Sequence, residues 1–419
     1  MDFAAGWLER NALFPEIIHE QPDPQTGIIV VVPSFNEPGI SVLLDSLASC
    51  DVPGCKAEVL LIINAPAGAR REEKLNNSIS INNIEGWKRK NKSFFRLYFF
   101  DAGQPSIKGW GVGTARKTGM DEAVRRFNLA GNPEGVIACL DADCLVEKNY
   151  FTALESELAG NRRMNGCSIY FEHLLSGEDF TGEIRKNIVE YELHMRYYIQ
   201  GLKYSGFPYA FHTVGSSFAV KALKYVKCGG MNRRQAGEDF YFLQKLIPLG
   251  GYFNLNSTTV YPSPRESSRV PFGTGPVMKM HLKRPSEDFL TYNPEAFTEL
   301  RFLFSSAIRL YQCNYSGLRT FYGTLPSGLR SYISEQEWMS RNAEIRENTS
   351  GSETYTKRFF GWFNMFRIVK YLNHVHRNCF IKQPVREAAL SLLEKLGGKA
   401  GKADIYFLLT YYRAMEKNK

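Results

Sequence analysis

The chain carries several runs of consecutive apolar residues, each of which ends in polar residues. Five β-branched residues in a row, 28–32, predict a central strand, and Pro33 is predicted to end it because proline cannot donate to a β-ladder. Similar runs predict strands at residues 57–64, 94–101 and 136–140. A short run that is apolar at every position is typical of a strand buried on both faces of a parallel sheet.

The segments between these runs have a different period. At residues 42–47 the apolar positions recur with helical spacing, and helical patterns also separate the later strands. Strands separated by roughly 25 to 40 residues, with helices between them, predict an α/β domain with a mostly parallel sheet. Farther along, residues 188–199 predict a long helix and residues 212–221 predict another strand.

Two carboxylates, Asp141 and Asp143, directly follow the strand predicted at 136–140. Residues i and i+2 of a strand face the same way, so both side chains can reach one hard cation at the carboxyl end of the strand. Parallel sheets bind their ligands at that edge. The alternative is an ordinary surface turn, in which aspartate is favoured because its side chain bonds to the backbone.

Two further segments carry candidate chemistry. The glycine-rich stretch 108–119 leads into a helix with Arg116 near its start, a pattern that can cradle phosphate; the alternative is a glycine-rich turn that enters an amphipathic helix. Glu238 and Asp239 follow Gly237 at the start of an apolar helix. They are either catalytic carboxylates or first-turn acids that complement the helix dipole, an effect of about 0.3 to 1 kcal/mol.

Four motifs in this order carry a resemblance to a known family. They are the segment 31–37 (Val-Val-Pro-Ser-Phe-Asn-Glu), the glycine-rich stretch, residues 140–143 (Leu-Asp-Ala-Asp) and residues 229–239. Over about residues 27 to 265 the chain resembles family-2 glycosyltransferases of the GT-A fold. The resemblance implies transfer of a sugar from a nucleotide-sugar donor to a hydroxyl of a glycan or lipid-linked acceptor, with inversion at the anomeric carbon and with Mg²⁺ or Mn²⁺ as cofactor.

The resemblance also implies a role for each matching residue. Asp239, with Glu238 beside it, would be the catalytic base that takes the proton of the acceptor hydroxyl. Asp143, helped by Asp141, would hold the divalent cation against the diphosphate. The implied ligand-binding residues are Pro33, Phe35, Glu37, Asn64, Gly113, Arg116 and Asp141 for the donor and His212, Gly215 and Ser216 for the acceptor. A lone histidine is more often a hydrogen-bonded structural residue, and that alternative stays open for His212.

The sequence departs from the family pattern at two places. Many members carry two aspartates at the end of the second strand to bind the nucleobase, whereas this chain has Asn64, whose amide offers both a donor and an acceptor. Many members also place a histidine after the catalytic helix as a metal ligand. Here a loop rich in proline and glycine carries Arg265 and Arg269, which predict either a lid over the donor diphosphate or a solvated basic loop.

Length and composition set the domain organisation. With 419 residues, of which 44% are hydrophobic, the chain is predicted to form an N-terminal helical segment (1–26), a GT-A-like domain (27–275) and a helical C-terminal extension (276–419). No uncharged apolar run of membrane-spanning length and no signal-peptide pattern occurs, so the protein is expected to stay in the cytoplasm. The eight cysteines include no Cys-x-x-Cys and are predicted to be reduced thiols.

The net charge of +9 does not predict nucleic-acid binding, because the basic residues are scattered and no recognised nucleic-acid motif occurs. In the stretch 357–370, helical spacing places Phe359, Trp362, Phe363 and Phe366 on one face with cations beside it. This pattern predicts either a packed helix of the extension or a helix on the inner face of an anionic membrane. Two alternatives to the transferase remain: a sugar-phosphate nucleotidyltransferase and a catalytically silent relative that binds a membrane surface.

Overall fold

The computed structural model describes residues 2–66, 68–103, 110–175, 182–233, 237–264, 288–399, 401 and 403–418. The chain divides into two compact units. The first comprises residues 1–188, 211–283 and 416–419, and the second comprises residues 189–210 and 284–415. Residues 1–26 thus belong with the first unit, whereas the boundaries near 26 and 275 inferred from the sequence stay predictions. The loop with Arg265 and Arg269 lies outside the described residues.

The first unit is built around one eight-stranded sheet with the order β3-β2-β1-β4-β7-β6-β8-β5. Four neighbouring strands, β3, β2, β1 and β4, run parallel, β7 pairs antiparallel with both β4 and β6, β6 is parallel to β8, and β5 is antiparallel to β8. The strands are β1 Thr26–Ser34, β2 Lys56–Ile63, β3 Phe95–Asp101, β4 Val136–Cys139, β5 Leu145–Val146, β6 Gly166–Phe171, β7 Phe218–Lys221 and β8 Tyr252–Tyr261. The mostly parallel sheet predicted from the apolar runs is confirmed.

Helices flank this sheet, as predicted. They are α1 Ala5–Asn11, α2 Ile40–Ala48, α3 Arg71–Lys90, α4 Val112–Leu129, α5 Tyr150–Ala153, which continues as a π-helical turn Leu154–Ala159, α7 Ala222–Lys227, α8 Glu238–Leu246 and a 3₁₀ turn Ile247–Leu249. Helix α6, Gly182–Tyr204, begins in the first unit and continues in the second. The boundary between the two units falls within α6, after residue 188.

Two strand predictions need correction. Pro33 does not end β1, because the strand continues to Ser34. The missing N–H of Pro33 removes no hydrogen bond from the sheet. The backbone polar groups of residues 31 and 33 face the same neighbour, β4, and the pairing of β1 with β4 already ends at Val31. The strand predicted at residues 212–221 is also shorter than expected. Only β7, its last four residues, pairs with neighbours, and residues 211–217 are irregular.

The second unit is mainly helical, as predicted for the extension, and its described residues also contain a short antiparallel pair of β9 (Leu290–Thr291) with β10 (Gln383–Pro384). The helices after α6 in this part of the chain are α9 Pro294–Phe304, α10 Ala307–Leu310, α11 Tyr315–Thr324, α12 Ser327–Tyr332, α13 Glu335–Glu347, α14 Ser352–Trp362, α15 Met365–Asn378, α16 Val385–Lys395 and α17 Ile405–Lys417, which ends in the first unit. None of the helices within the described ranges is both long and apolar enough to cross a membrane.

The aromatic stretch 357–370 forms two helices rather than the single helix expected. α14 ends at Trp362, and α15 begins after Asn364, whose side chain accepts a hydrogen bond from the backbone N–H of Arg367 and caps the new helix. Phe359 and Phe363 are fully buried, and Phe359 packs edge-on against Phe360. The burial of these rings favours the packed interpretation over a membrane-facing aromatic stripe.

Candidate active site

Helix α4 carries Arg116 to the carboxyl ends of the parallel strands. Gly119 lies directly on β1, and a Cβ at this position would come within 2.4 Å of Val31 Cγ1, so only glycine permits so close a contact between helix and sheet. Gly113, in the first turn of α4, is also buried. Gly119 is therefore explained by helix packing on the sheet, which fixes the height of Arg116 above the strand ends.

The guanidinium of Arg116 joins two of the predicted motifs. One terminal nitrogen, Nη2, donates to Asp141 Oδ1 at 2.6 Å, and the other, Nη1, donates to Glu238 Oε1. Arg116 is only 3% exposed. Burial opposes the positive charge, but the adjacent carboxylates of Asp141 and Glu238 outweigh it and raise the pKa of Arg116. The group is therefore a fixed cation between the end of β4 and the start of α8.

Gly215 adds a third segment to this cluster. A Cβ built on Gly215 would lie 2.9 Å from both terminal nitrogens of Arg116 and 2.9 Å from Asp239 Oδ2. The backbone of Gly215 therefore touches the guanidinium and the predicted base at the same time. A residue predicted to lie on the acceptor side is thus in contact with Arg116, predicted to bind the donor, and with Asp239.

Asp239 lies in the first turn of α8, which begins after Gly237 in the left-handed conformation, with φ of 70°. Its Oδ1 accepts a hydrogen bond from the backbone N–H of Phe240 at 2.7 Å. Burial, and next the charge of Glu238, raise the pKa of Asp239 from its ordinary value to about 6, against the opposing effect of Arg116. Its titration is thereby moved towards neutral pH, the range in which a general base is most effective.

Asp141 and Asp143 lie in a turn after β4 rather than within a strand. Burial nevertheless alternates along this segment: Ala142 and Cys144 are buried, and the two aspartates are half-exposed. The alternation supports the prediction that both carboxylates face the same side. The described part of the chain contains no cluster of three or more histidine, cysteine or acidic side chains placed to hold a metal ion. Two carboxylates nevertheless fit Mg²⁺, which usually completes its shell with water and substrate phosphate oxygens.

The other residues predicted to bind the donor lie at the ends of β1 and β2. Pro33 is buried within β1, Phe35 is half-buried, and Glu37 is 2% exposed. The side-chain amide of Asn64 donates to the backbone carbonyl of Ser34 at 3.0 Å. Asn64, at the end of β2, therefore holds the end of β1, and its Nδ2 group is used within the protein.

The residues predicted for the acceptor are placed differently from one another. Gly215 touches the charged cluster, and Ser216 is buried beside it in the chain. His212 is hydrogen-bonded through Nε2 to the carboxylate of Glu416 at 3.1 Å, and its backbone carbonyl accepts from Ser168 Oγ. These contacts agree with the structural interpretation of His212, and its contact with an acceptor stays a prediction.

Sequence reasoning missed two features of this site. One is that Glu238 pairs with Arg116, which lies 122 positions away in the chain. The other is a row of polar side chains on α3 that bonds to the loop after β1. The row consists of Asn76, Asn77, Ser80 and Asn83. Their spacing of i, i+1, i+4 and i+7 places them within one broad polar face of the helix, which resembles an ordinary solvated face and gave no signal of these bonds.

No protein-family model matches this chain, and no relative is found among curated proteins. Solved structures do show similarity. TarS residues 1–349 from S. aureus, in complex with UDP-GlcNAc, is 14% identical, with 81% of this chain and 93% of that chain covered and a TM-score of 0.39. Mannosyltransferase PcManGT from Pyrobaculum calidifontis, in complex with GDP-Man and Mn²⁺, is 14% identical, with 99% and 92% covered and a TM-score of 0.38.

Glucosyl-3-phosphoglycerate synthase from Mycobacterium tuberculosis, in complex with Mn²⁺, UDP and phosphoglyceric acid, is 14% identical, with 58% of this chain and 77% of that chain covered and a TM-score of 0.35. All three identities are 14% and all three TM-scores lie below 0.4. The chemistry of this chain is therefore inferred from its own residues.

Proposed function

We propose that this chain is an inverting glycosyltransferase that moves a sugar from a nucleotide-sugar donor to a hydroxyl of a glycan or lipid-linked acceptor. The observation that carries the proposal is the convergence at Arg116. The end of β4, the start of α8 and the segment before β7 meet at one buried guanidinium, and they bring Asp141, Glu238, Asp239 and Gly215 together. Three of the four motifs that resemble family-2 glycosyltransferases, namely the glycine-rich stretch, residues 140–143 and residues 229–239, thus meet at one point, as a shared active site requires.

Charge explains why such a cluster suits this chemistry. One guanidinium stands against the three carboxylates of Asp141, Glu238 and Asp239, so negative charge is left over at the edge of the sheet. Asp141 and Asp143 would hold Mg²⁺ or Mn²⁺ there. The bound cation would stabilise charge on the diphosphate oxygens as the bond to the sugar breaks. Because Arg116 is buried and both terminal nitrogens bond to carboxylates, we assign it to positioning these groups rather than to direct contact with the donor.

Asp239 is the base in this proposal. Its carboxylate takes the proton of the acceptor hydroxyl while the hydroxyl oxygen forms the new bond to the anomeric carbon, and the nucleoside diphosphate leaves with the electrons of the broken C–O bond. Attack from the face opposite the leaving group inverts the anomeric carbon. General-base assistance of this kind contributes about 10² to 10⁴-fold in rate.

The first experiment is a calorimetric and thermal-shift screen of UDP, GDP, ADP and CDP, with and without Mn²⁺, on the wild type and on Asp143→Ala. A ligand that binds only the native state stabilises it by mass action, by about 2.7 kcal/mol at one hundred times its Kd. We expect metal-dependent stabilisation by one nucleotide that is lost in Asp143→Ala and kept in the exposed control Glu85→Ala. If none of the four nucleotides binds with metal present, the transferase proposal fails.

The second experiment follows turnover of the matching nucleotide sugar by NMR. Release of the nucleoside diphosphate with an inverted anomeric signal in the product supports the proposed reaction. Retention of configuration would contradict the role of Asp239 as a base for direct displacement. Release of pyrophosphate from a nucleoside triphosphate and a sugar phosphate would favour the nucleotidyltransferase instead.

A further inference from the structure

The loop after β1 contains one residue in an unusual backbone conformation. Asn36 has φ of 54°, the left-handed region, and no other non-glycine residue among those described has a positive φ. Asparagine is tolerated there better than most residues, but the conformation still has a cost when nothing holds it. The contacts that hold Asn36 come from α3, a helix that carries none of the predicted site residues.

Two asparagines of α3 bond to Asn36, one to its side chain and the other to its backbone. The Nδ2 group of Asn76 donates to Asn36 Oδ1 at 2.7 Å. The backbone N–H of Asn36 donates to Asn77 Oδ1 at 2.9 Å. The row continues along the loop, because Ser80 Oγ donates to the carbonyl of Glu37 at 2.7 Å and Asn83 Nδ2 donates to the carbonyl of Pro38 at 2.9 Å.

Asn77 differs from the other members because it also reaches the second strand end. While its Oδ1 accepts from Asn36, its Nδ2 donates to the backbone carbonyl of Asn64 at 2.8 Å. Asn64 in turn donates from its backbone and its side chain to the carbonyl of Ser34. A single amide therefore couples the loop after β1 to the end of β2, and Asn77 is 9% exposed, so water competes little for these bonds.

We infer that Asn77 is a positioning residue for the donor nucleoside, an inference that rests on the proposed function. The amide of Asn77 makes both bonds at once because it carries an acceptor oxygen and a donor nitrogen on the same group. The hydrogen bonds of the Asn77 side chain go to the loop after β1 and to the end of β2, not to the charged cluster. It fixes the relative placement of residues 34–37 and Asn64, the segments proposed to hold the nucleoside.

Steady-state kinetics distinguish an effect on nucleoside binding from an effect on the chemical step at the sugar. An interaction with the nucleoside has the same strength in the ground state and in the transition state, so its loss raises KM and leaves kcat unchanged. In Asn77→Ala two backbone groups, the N–H of Asn36 and the carbonyl of Asn64, lose their partners. We expect donor KM and the Kd of the nucleoside diphosphate to rise roughly 10-fold, with kcat within about 2-fold of wild type.

Matched variants test the bridge that the Asn77 amide forms between the Asn36 N–H and the Asn64 carbonyl. Asn77→Asp keeps the size and the acceptor for Asn36 but replaces the donor with an oxygen that faces the carbonyl of Asn64, so we expect a rise in KM at least as large as in Asn77→Ala. Asn83→Ala removes the bond to Pro38 at the outer end of the same row, and we expect less than a 2-fold change. A fall in kcat at unchanged KM in Asn77→Ala would contradict the inference.

Amide hydrogen exchange separates this inference from the proposed function. The Asn36 N–H should exchange at least 10-fold faster in Asn77→Ala than in wild type, and no faster in Asn83→Ala, whether or not a nucleotide binds. Wild type that binds none of UDP, GDP, ADP and CDP with Mn²⁺ overturns the proposed function and the nucleoside role with it. Unchanged exchange at Asn36 overturns the bridge alone. If Asn77→Ala does not fold, Asn77→Ser, whose shorter side chain also gives up the bond to the Asn36 N–H, provides the same exchange measurement.

Discussion

The two ends of the candidate site are built from different kinds of interaction. At the loop after β1, neutral amides of α3 and Asn64 bond to backbone groups. At the end of β4, ionised groups meet: Arg116 pairs with Asp141 and Glu238, and Asp239 lies within the same cluster. Neutral hydrogen bonds fix the shape of the loop without creating a strong electric field. Unbalanced charges create an electric field that can act on a proton or a cation.

This difference teaches where binding and chemistry should separate. Changes in the neutral end should alter affinity, because they move a surface that is proposed to contact the donor equally before and during reaction. Changes in the charged end should alter turnover or pH dependence, because charge is redistributed only as the reaction proceeds. A variant at one end that produced the effect expected of the other would break the comparison.

The largest effect is expected for Asp239→Asn. The amide keeps the size of the carboxylate but cannot accept the proton of the hydroxyl, so kcat should fall by about 10² to 10⁴-fold with little change in nucleotide Kd. Steady-state turnover and calorimetry measure the two quantities separately. Glu85→Gln, an exposed change of the same kind on α3, should keep wild-type turnover. A comparable fall in nucleotide affinity for Asp239→Asn would place this residue in donor binding instead.

Arg116→Met tests whether the charged end depends on its single buried cation. Removal of one partner from a buried ion pair leaves uncompensated charge, here on Asp141 and Glu238, and costs about 3 to 5 kcal/mol. The free energy of unfolding in urea measures this loss. Arg89→Met, at an exposed position of α3, should change it by less than about 0.5 kcal/mol. Arg116→Lys should fall between the two, because a single ammonium cannot reproduce the two-pronged geometry of arginine.

The pH dependence gives an independent view of the same cluster. With the pKa of Asp239 raised to about 6, the proposed base is protonated at acidic pH, and kcat/KM should fall about tenfold per pH unit below 6. For stability the sign is opposite. The folded state holds this proton more tightly than the unfolded state, so the contribution to stability is present below pH 3.8 and is lost as pH rises through about 6.

The free energy of unfolding, measured in EDTA across roughly pH 3.5 to 7.5, checks the expected loss of stability. This range spans the pKa values of Asp239 in the unfolded and folded states. The buried Asp121, which bonds to Lys117, also has a pKa raised to about 6 by burial, and it contributes in the same direction. The difference between wild type and Asp239→Asn isolates the residue of interest. Parallel stability curves for the two proteins would show that the pKa of Asp239 is not raised.

The sequence was sufficient for the parts of this fold that follow from local pattern. Apolar runs predict strands β1 to β4. Helical spacing and the glycines that precede it predict helices α4 and α8. The carboxyl ends of parallel strands share one edge, so the convergence of motifs was also predictable. The break between α14 and α15 had a local signal too, because Asn364 is a favourable helix cap, but the aromatic spacing on either side concealed it.

The remaining features depend on contacts that no local pattern encodes. The pairing of Arg116 with Glu238 joins residues 122 positions apart, and β7 runs antiparallel to β4, a direction that its four residues do not specify. The tolerance of β1 for Pro33 depends on where β4 stops. Asn76 and Asn77 resemble an ordinary solvated helix face until the loop with Asn36 is seen against them.

Gly215→Ala is expected to have the smallest effect, and it sharpens the comparison most. The added Cβ would meet the ends of two side chains, Arg116 and Asp239, rather than backbone, so these groups can shift and the free energy of unfolding should fall by no more than about 1 kcal/mol. A shift of a few tenths of an ångström still moves the base, so we expect kcat to fall roughly 3- to 10-fold.

Gly86→Ala is the control for Gly215→Ala, because nothing lies within 4 Å of a Cβ at that position on α3. It should leave turnover unchanged and stabilise the helix by up to about 1 kcal/mol. Unchanged kcat in Gly215→Ala would show that the reaction tolerates a small displacement of Arg116 and Asp239. The reaction would then depend on the electric field of the charged end rather than on its exact geometry. A fall in kcat without a loss of stability would instead show that the contact between Gly215, Arg116 and Asp239 serves the reaction rather than the fold.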